Sequence, residues 1–245
     1  MADNKKHKHI LRPLEQEIHI WIAEAANFKN LEHEKVHLSQ KEKRRFLEFH
    51  FEADKFRFLL SRYALTNIIL KYFPHLEMKN LNFTKTAFGK PRLSILDPQK
   101  NLYFNLSHSN ENVAIAFSSS FEIGVDIEVK NVELNFNQIA EETFSDRELW
   151  MLSRLELDKV TDYFYKIWTL KEAFAKAKGL GFSIPFKSFS IEVLEGQNAA
   201  VKFAHYADDK FEKCKLKTFK LGGETWLSLA AVTYKPIKIK FFKFR

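Results

Sequence analysis

Cysteine, glycine and proline are all scarce in this chain of 245 residues, and each shortage excludes a class of protein. Cys214 is the only cysteine, which excludes an internal disulfide framework and favours a reducing compartment. The 7 glycines and 6 prolines are too few for a collagen-like or low-complexity chain. No apolar run reaches the roughly 18 residues of a membrane-spanning helix, and the opening MADNKKHKHILRP contains no apolar signal core. We therefore expect a soluble protein of the cytoplasm that does not act at a membrane.

Apolar residues and positive charge, in contrast, are plentiful. Hydrophobic residues make up 45% of the chain and include 25 phenylalanines, which is enough for a large core in one large domain or two small ones. The formal net charge of +8 favours a polyanionic partner: nucleic acid, a phosphorylated small molecule or an acidic protein. A generally solvated basic surface explains the same charge equally well, so charge alone does not choose among these.

The first half of the chain shows helical patterns followed by strand patterns. IHIWIAEA alternates with the two-residue period of a strand. Ser39 and Glu42 have the spacing of a capping box, and the helical pattern EADKFRFLLSRYALTNIILKYF ends at Pro74. LYFNLSHS, VAIAFS and EIGVDIEV are short strand candidates, and their short separators predict an antiparallel meander.

The second half repeats that order. A helical stretch around Phe136 to Leu155 and the helix DYFYKIWTLKEAFAKAKG, ended by Gly179, precede the strand patterns SFSIEVL, KLKTFKL, TWLSLAAVTY and KIKFFKF. The strict β-α-β alternation of a parallel sheet is missing, which predicts an α+β fold. We expect a flexible tail over residues 1–13, an N-terminal subdomain over 14–119 and a C-terminal subdomain over 120–245 that carries the metal site.

Two carboxylates share one face of the predicted strand EIGVDIEV. Its three apolar residues alternate toward one side, so Asp126 and Glu128 lie with Gly124 on the other. Like charges side by side on a sheet are destabilising. A chain rich in positive charge therefore has a reason to place them there only if they bind a cation.

A third carboxylate and a lysine lie on one face of the helix that follows. Trp168, Glu172 and Lys176 are spaced four residues apart. Taken alone, Glu172 and Lys176 are typical of an exposed helix pair worth about 0.2–0.5 kcal/mol. Together with Asp126 and Glu128, Glu172 predicts a Mg²⁺ site that could also accept Mn²⁺, because three convergent carboxylates without a cation raise one another's pKa. Lys176, one turn further on, is placed to contact a phosphate.

The motifs in their order carry a resemblance to a known family. A lone histidine near a turn, such as His108 in NLSHS, is usually structural, but beside a metal–phosphate site it can donate to a phosphate oxygen. The ordered run FGKP…FNLSHS…IGVDIE…FSDRE…WTLKEAFAKAKGLG, from about Leu38 to Phe189, resembles the 4′-phosphopantetheinyl transferases of the surfactin-synthetase-activating type. The motifs G-x-D-x-E and W-x-x-K-E-A-x-x-K are moderate signals separately and a strong signal together.

The resemblance implies an enzyme that transfers 4′-phosphopantetheine from coenzyme A to a serine of an acyl, aryl or peptidyl carrier protein. It implies two similar α/β halves in a pseudo-twofold arrangement, with mostly antiparallel sheets and the cofactor in the cleft between them. Mg²⁺ would be held against the pyrophosphate by the three carboxylates, and Lys176 would favour departure of adenosine 3′,5′-bisphosphate. The further coenzyme A contacts that it implies are Arg45, Arg57, Gly89, Lys90, Pro91, Ser107 and His108.

Several alternatives stay open at this point. Glu148 in FSDRE matches a residue proposed in the family as the base for the carrier serine, but a metal-bound water could serve instead. Arg45 and Arg57 could be ordinary solubilising charges. A metal-dependent hydrolase of nucleotide pyrophosphates would use the same carboxylates, whereas a basic nucleic-acid-binding module would leave them unexplained. We expect coenzyme A and an acidic carrier protein as partners, no nucleic acid, and a monomer. The pathway of the carrier is not specified.

Two other motifs suggest less. HEKVH, His33 to His37, satisfies the zinc-protease pattern H-E-x-x-H, which needs a helix and a third ligand. It directly precedes the Ser39 cap, so we expect a connecting segment there. The C-terminal KPIKIKFFKFR alternates lysine with apolar residues and predicts a solvated edge strand.

Overall fold

The computed structural model describes residues 11, 13–29, 31–32, 36–94, 101–131, 133–203 and 213–245, with the backbone alone at residue 182. Nearly all of the predicted tail over residues 1–13 lies outside the described residues, as do residues 33–35 of HEKVH. Helices and strands alternate irregularly along the chain, and the predicted α+β class is confirmed.

The helices are α1 (Gln40–Glu48), α2 (Glu52–Tyr72), α3 (Phe136–Thr143), α4 (Asp146–Leu152) and α5 (Leu157–Lys178). The predicted capping box of α1 is present, since the Ser39 side chain accepts from the Glu42 backbone and the Glu42 carboxylate accepts from Ser39 N–H. The helical stretch predicted around Phe136 to Leu155 is present but divided into two helices, because a second capping box starts a new helix. Ser145 and Glu148 form it at the beginning of α4.

The strands are β1 (Glu17–Glu24), β2 (Asn82–Lys85), β3 (Pro91–Ser94), β4 (Tyr103–Ser109), β5 (Asn112–Ser118), β6 (Ile123–Val129), β7 (Phe189–Val193), β8 (Asn198–Phe203), β9 (Lys215–Leu221), β10 (Thr225–Ala231) and β11 (Lys238–Phe244). They form a first sheet in the order β11-β1-β5-β4, a second in the order β6-β10-β9-β8-β7, and the hairpin β2-β3. β1 and β11 pair in parallel, and the other neighbouring strands pair antiparallel.

The topology differs from the sequence expectation in two places. β4 and β5 form the expected hairpin, but β6 leaves that sheet and pairs with β10, so the predicted three-strand meander is wrong. β11 returns from the C-terminal end of the chain to the outer edge of the first sheet. The predicted boundary between residues 119 and 120 falls between β5 of the first sheet and β6 of the second. It does not account for β11, which follows the second sheet in sequence but belongs to the first. The division into two subdomains stays a prediction.

The two sheets pack against each other, and each carries a long helix on its outer side. One buried cluster joins α2 to the first sheet, and another joins α5 to the second sheet. The layer between the sheets is formed by apolar side chains of β1, β5, β6 and β10, among them Ile18, Ile20, Ile123, Val125, Ile127, Leu227 and Leu229. The opposite face of β6 is therefore the face that α5 covers. Among the described residues, no helix is long and apolar enough to cross a membrane.

Gly124 allows α5 to lie directly on β6. A Cβ at this position would overlap the carbonyl oxygen of Ala173 and the amide nitrogen of Ala177, both in the backbone of α5. Because the obstacle is helix backbone and not the end of a flexible side chain, any side chain here must move the helix. The glycine of G-x-D-x-E thus sets the distance between the acidic strand and the helix.

Replacing Gly124 by alanine is expected to destabilise the protein by about 1–3 kcal/mol, as overpacking in a buried contact does. Urea denaturation of both proteins measures this change. Gly223→Ala is the matched control, since a Cβ there has no neighbour within 4 Å, and its effect should stay within about 0.5 kcal/mol. Equal free energies of unfolding for Gly124→Ala and wild type would contradict the close packing described here.

Candidate active site

Asp126 is buried in the middle of β6 and faces α5. Its residue exposes only 2% of its surface. Its Oδ1 accepts a hydrogen bond from Lys176 Nζ at 2.6 Å and another from Ser107 Oγ at 2.8 Å. A strand of the second sheet, a strand of the first sheet and helix α5 therefore meet at one carboxylate oxygen.

Lys176 is the cation of this group. Its side chain is 27% exposed, and its ammonium also donates to Ser107 Oγ at 3.0 Å. Desolvation acts to lower its pKa, but the negative charges of Asp126, Glu172 and Glu128 outweigh that effect and leave the pKa of Lys176 raised. Lys176 is thus charged. Its positive charge interacts with Asp126, Glu128 and Glu172, the three carboxylates that the sequence predicts as metal ligands.

Glu128 and Glu172 are held in an environment that disfavours their charge. Desolvation, followed by the charge of Asp126, raises the pKa of Glu128 to about 7, although Ser109 and Trp168 donate hydrogen bonds to it. Desolvation likewise raises the pKa of Glu172 to about 7, with Lys176 opposing and Asp126 adding to the shift. The prediction that Trp168, Glu172 and Lys176 share a helix face toward the strand agrees with these contacts.

Two buried carboxylate oxygens of the acidic group lack a hydrogen-bond partner. Among the described residues, Asp126 Oδ2 and Glu172 Oε1 are buried side-chain oxygens without a hydrogen-bond partner. Unpaired buried carboxylate oxygens are costly, and oxygen is the ligand atom that Mg²⁺ prefers. Within the described part of the chain, however, no group of three or more His, Cys, Asp or Glu residues is arranged so that it could hold a metal ion. In this arrangement Lys176 is the cation that the carboxylates share.

Three polar side chains of β4 complete the group. Of these, the sequence predicts only Ser107 as a site residue. Asn105 Oδ1 accepts from Val125 N–H at 2.8 Å, Ser107 donates to Asp126, and Ser109 donates to Glu128 at 2.7 Å. These three residues alternate in FNLSHS, so they lie on one face of the strand. This alternation along the strand is the sequence signal that could have identified Asn105 and Ser109 as site residues.

His108 points to the opposite side of β4 and is exposed. Although the residue as a whole is exposed, desolvation of its imidazole, then the positive charges of Lys176 and Arg57, lower the pKa of His108. Arg57, in α2, donates to Asp54 and is partly buried. Arg45 is exposed on α1 with its guanidinium 5.9 Å from the centre of the Phe58 ring. The structure thus brings Arg57, His108 and Lys176 into one electrostatic neighbourhood.

The segment Gly89–Pro91 connects β2 and β3. Gly89 has a φ of 84° in this turn, a conformation that glycine adopts without strain. Lys90 is only 8% exposed, and its ammonium donates to Glu122 Oε2, Ile123 O and Ala177 O at 2.7, 2.9 and 3.3 Å. Lys90 therefore ties this turn to the start of β6 and the end of α5. A cavity of about 210 Å³ lies beside it, lined by residues 90–93, residues 101–104 and Glu122.

Glu148 lies in a different place from the acidic group. It is 1% exposed, its Oε2 accepts from Ser145 N–H and from Lys171 Nζ, both at 2.8 Å, and its Oε1 accepts from Ile191 N–H at 2.6 Å. Burial lowers the pKa of Lys171, and Glu148 opposes that shift. Both oxygens of Glu148 are engaged inside the protein, so this geometry argues against its predicted use as a base and favours a structural role.

Two family models match the chain in succession. The model described as 4′-phosphopantetheinyl transferase, N-terminal, matches residues 21–120, and the model of the 4′-phosphopantetheinyl transferase superfamily matches residues 122–230. The 4′-phosphopantetheinyl transferase Sfp of Bacillus subtilis (strain 168) is 32% identical over 197 residues, which cover 75% of this chain and 83% of that protein. The chain belongs to the 4′-phosphopantetheinyl transferase superfamily. The predicted family is thereby confirmed, and the chain is a phosphopantetheinyl transferase.

Other comparisons extend this result. The 4′-phosphopantetheinyl transferase gsp of Aneurinibacillus migulanus is 29% identical over 186 residues, with 73% of this chain and 74% of that protein covered. Among solved structures, the holo-[acyl-carrier-protein] synthase of Thermotoga maritima has a TM-score of 0.36 at 15% identity and covers 47% of this chain and 64% of that one. A similarity of that size does not by itself indicate a shared fold.

Glu148→Gln is expected to destabilise the protein by about 3–5 kcal/mol, because it leaves the Lys171 ammonium buried without its negative partner. Urea denaturation measures the loss, and Glu148→Gln/Lys171→Met should recover part of it. Arg147→Gln is the neighbouring control; it breaks an exposed pair with Glu192 and should cost less than about 1 kcal/mol. If Glu148 were the base, Glu148→Gln would instead abolish turnover while leaving the free energy of unfolding unchanged.

Proposed function

We propose that this transferase moves 4′-phosphopantetheine from coenzyme A to a serine of an acidic acyl or peptidyl carrier protein and requires Mg²⁺ or Mn²⁺. The observation that carries the proposal is the buried group at which β4, β6 and α5 meet. It combines a charged lysine with three carboxylates, two of which have a pKa raised to about 7. Such a group is expensive to bury unless a reaction uses its charges.

We assign the metal to the three carboxylates by the chemistry of their oxygens, although no group of three such residues among those described is arranged as a metal site. Asp126, Glu128 and Glu172 would bind it, because they supply oxygen ligands and because Asp126 Oδ2 and Glu172 Oε1 have no hydrogen-bond partner among the described residues. When bound, the ion supplies positive charge that neutralises the pyrophosphate of coenzyme A. Transfer of a phosphate-linked group depends mainly on positioning and on this charge neutralisation.

The basic residues of the site bind and orient the phosphates of coenzyme A. Lys176 carries a positive charge at the acidic group, with part of its side chain exposed, so it can contact a phosphate oxygen and stabilise the departing nucleotide. His108 and Arg57 lie within its electrostatic reach and would contact phosphate groups further along the cofactor. Arg45 on α1 would contribute at longer range.

The turn at Gly89–Pro91 is assigned to the adenine side of coenzyme A. Because the Lys90 ammonium is bonded to Glu122, Ile123 and Ala177, the backbone of the turn and the adjoining cavity provide the contact. Lys90 itself holds the turn in position.

The overall charge is suited to both substrates. A net charge of +8 attracts an anionic cofactor and an acidic carrier, and such steering raises association rates at low salt. Both sheets that contribute to the site come from one chain, so we propose that a monomer is active. A reducing compartment such as the cytoplasm agrees with the single cysteine.

The protein is expected to convert apo carrier proteins to their holo forms. Incubation with coenzyme A, Mg²⁺ and an apo carrier domain should raise the intact mass of the carrier by one phosphopantetheine group, as read by mass spectrometry. A carrier whose acceptor serine is replaced by alanine is the control, and a chelator should stop the reaction. No mass gain with carriers from fatty-acid, polyketide and peptide synthesis would refute the proposal. Consumption of coenzyme A without a carrier would indicate a pyrophosphate hydrolase instead.

Asp126→Asn and Glu172→Gln should each lower kcat by about 10²-fold or more, because each removes a ligand of the ion that would neutralise the pyrophosphate. The rate of carrier modification measures the loss, and circular dichroism should show a folded protein. Glu141→Gln, at an exposed residue of α3, is the control and should leave the rate unchanged. A near-normal rate in either site variant would contradict the metal assignment.

A further inference from the structure

We propose that Ser109 is a positioning residue that fixes the Glu128 carboxylate for cation binding; this inference rests on the proposed function of the acidic group. Ser109 ends β4 in the first sheet, and Glu128 lies near the end of β6 in the second sheet. The contact between them, 2.7 Å from Ser109 Oγ to Glu128 Oε2, crosses from one sheet to the other. The sequence motifs single out the histidine of NLSHS but not this serine.

The hydroxyl of Ser109 has one orientation that satisfies both of its partners. Val129 N–H lies 3.1 Å from Ser109 Oγ, and a backbone amide can only donate. The oxygen must therefore accept from Val129, and its one proton is left to donate to Glu128. Because the amide belongs to the residue directly after Glu128, the same serine holds both the side chain and the backbone of this part of β6.

Ser107 offers an instructive comparison on the same face of β4. It also donates to a carboxylate, Asp126, but the group that donates to Ser107 is the partly exposed ammonium of Lys176. That ammonium can change its partner when a substrate phosphate arrives. The donor to Ser109 is a strand amide, which cannot. The orientation of Ser109, unlike that of Ser107, therefore does not depend on whether a substrate phosphate is bound.

Glu128 is held by donors from two elements. Besides Ser109 of β4, Trp168 of α5 donates a hydrogen bond to its carboxylate. Two donors, from β4 and α5, hold the carboxylate from different sides. Partners of this kind around a metal ligand typically change metal affinity by about 10–100-fold when they are removed.

Mn²⁺ binding tests the inference on the full-length protein. Free Mn²⁺ is followed by electron paramagnetic resonance, with and without saturating coenzyme A, for wild type, Ser109→Ala and Ser109→Thr. We expect the Mn²⁺ Kd of Ser109→Ala to rise by about tenfold or more, with a folded protein by circular dichroism. Ser109→Thr should restore the wild-type Kd, since its hydroxyl can make the same two hydrogen bonds on a strand. In the transferase assay, the Mg²⁺ concentration for half-maximal rate should rise while kcat at saturating Mg²⁺ stays close to wild type.

Ser190→Ala is the matched control. Ser190 is also a partly buried strand serine, and its hydroxyl is bonded to another side chain, Ser145 Oγ, at 2.8 Å. Its removal should leave the Mn²⁺ Kd unchanged.

Three results would overturn the inference. One is a Mn²⁺ Kd for Ser109→Ala within about twofold of wild type. Another is a weaker affinity that comes with a lower Tm and is not restored by threonine, which would mark an ordinary structural contact. The last is a wild-type protein that does not bind Mn²⁺, which would also remove the metal from the proposed function. A failed carrier assay alongside a tenfold affinity loss in Ser109→Ala would reject the transfer reaction and leave the role of Ser109 standing.

Discussion

The contact between α5 and β6 is the constraint on which the rest of the site depends. It exists because Gly124 has no side chain where the helix backbone passes over the strand. With the helix at that distance, Lys176 Nζ reaches Asp126, and Glu172 comes within the electrostatic influence of both. The glycine and the two carboxylates of G-x-D-x-E therefore act together. Gly124 allows α5 to approach β6, and Asp126 and Glu128 face the helix at that short distance.

The edge where the two sheets meet gives the site its second half. β4 is the last strand of the first sheet and β6 the first strand of the second, and side chains of β4 bond to β6 instead of a shared backbone ladder. Asn105 and Ser107 each make one such bond, and Ser109 makes two. Lys90 adds a further tie near the start of β6. The acidic residues therefore have hydrogen-bond donors from a different part of the chain. Only single oxygens of Asp126 and Glu172 remain buried without a hydrogen-bond partner among the described carboxylates.

Two lysines of α5 show how similar residues acquire different roles. Lys171 is fully buried, bonded to Glu148 and to the carbonyl oxygens of Phe186 and Phe189, and it joins α4, α5 and β7. Lys176 is partly exposed and faces the acidic strand. Both belong to the motif W-x-x-K-E-A-x-x-K, yet one stabilises the fold and the other lies in the site. The same distinction separates Glu148, whose oxygens are all engaged, from Glu172, which keeps a buried oxygen without a hydrogen-bond partner among the described residues.

The sequence by itself determined most of the elements and the acidic face. Strand alternation put Asp126 and Glu128 together, helical spacing aligned Trp168, Glu172 and Lys176, and the order of the motifs indicated the family, because these are local properties of a few consecutive residues. Only the tertiary structure decided which sheet β6 joins, that β11 returns beside β1, and which polar groups are engaged elsewhere. The lysine of FGKP and the glutamate of FSDRE looked like site residues, but their partners lie at distant positions in the chain. Pairing across such distances depends on how the sheets and helices pack, and no local pattern records it.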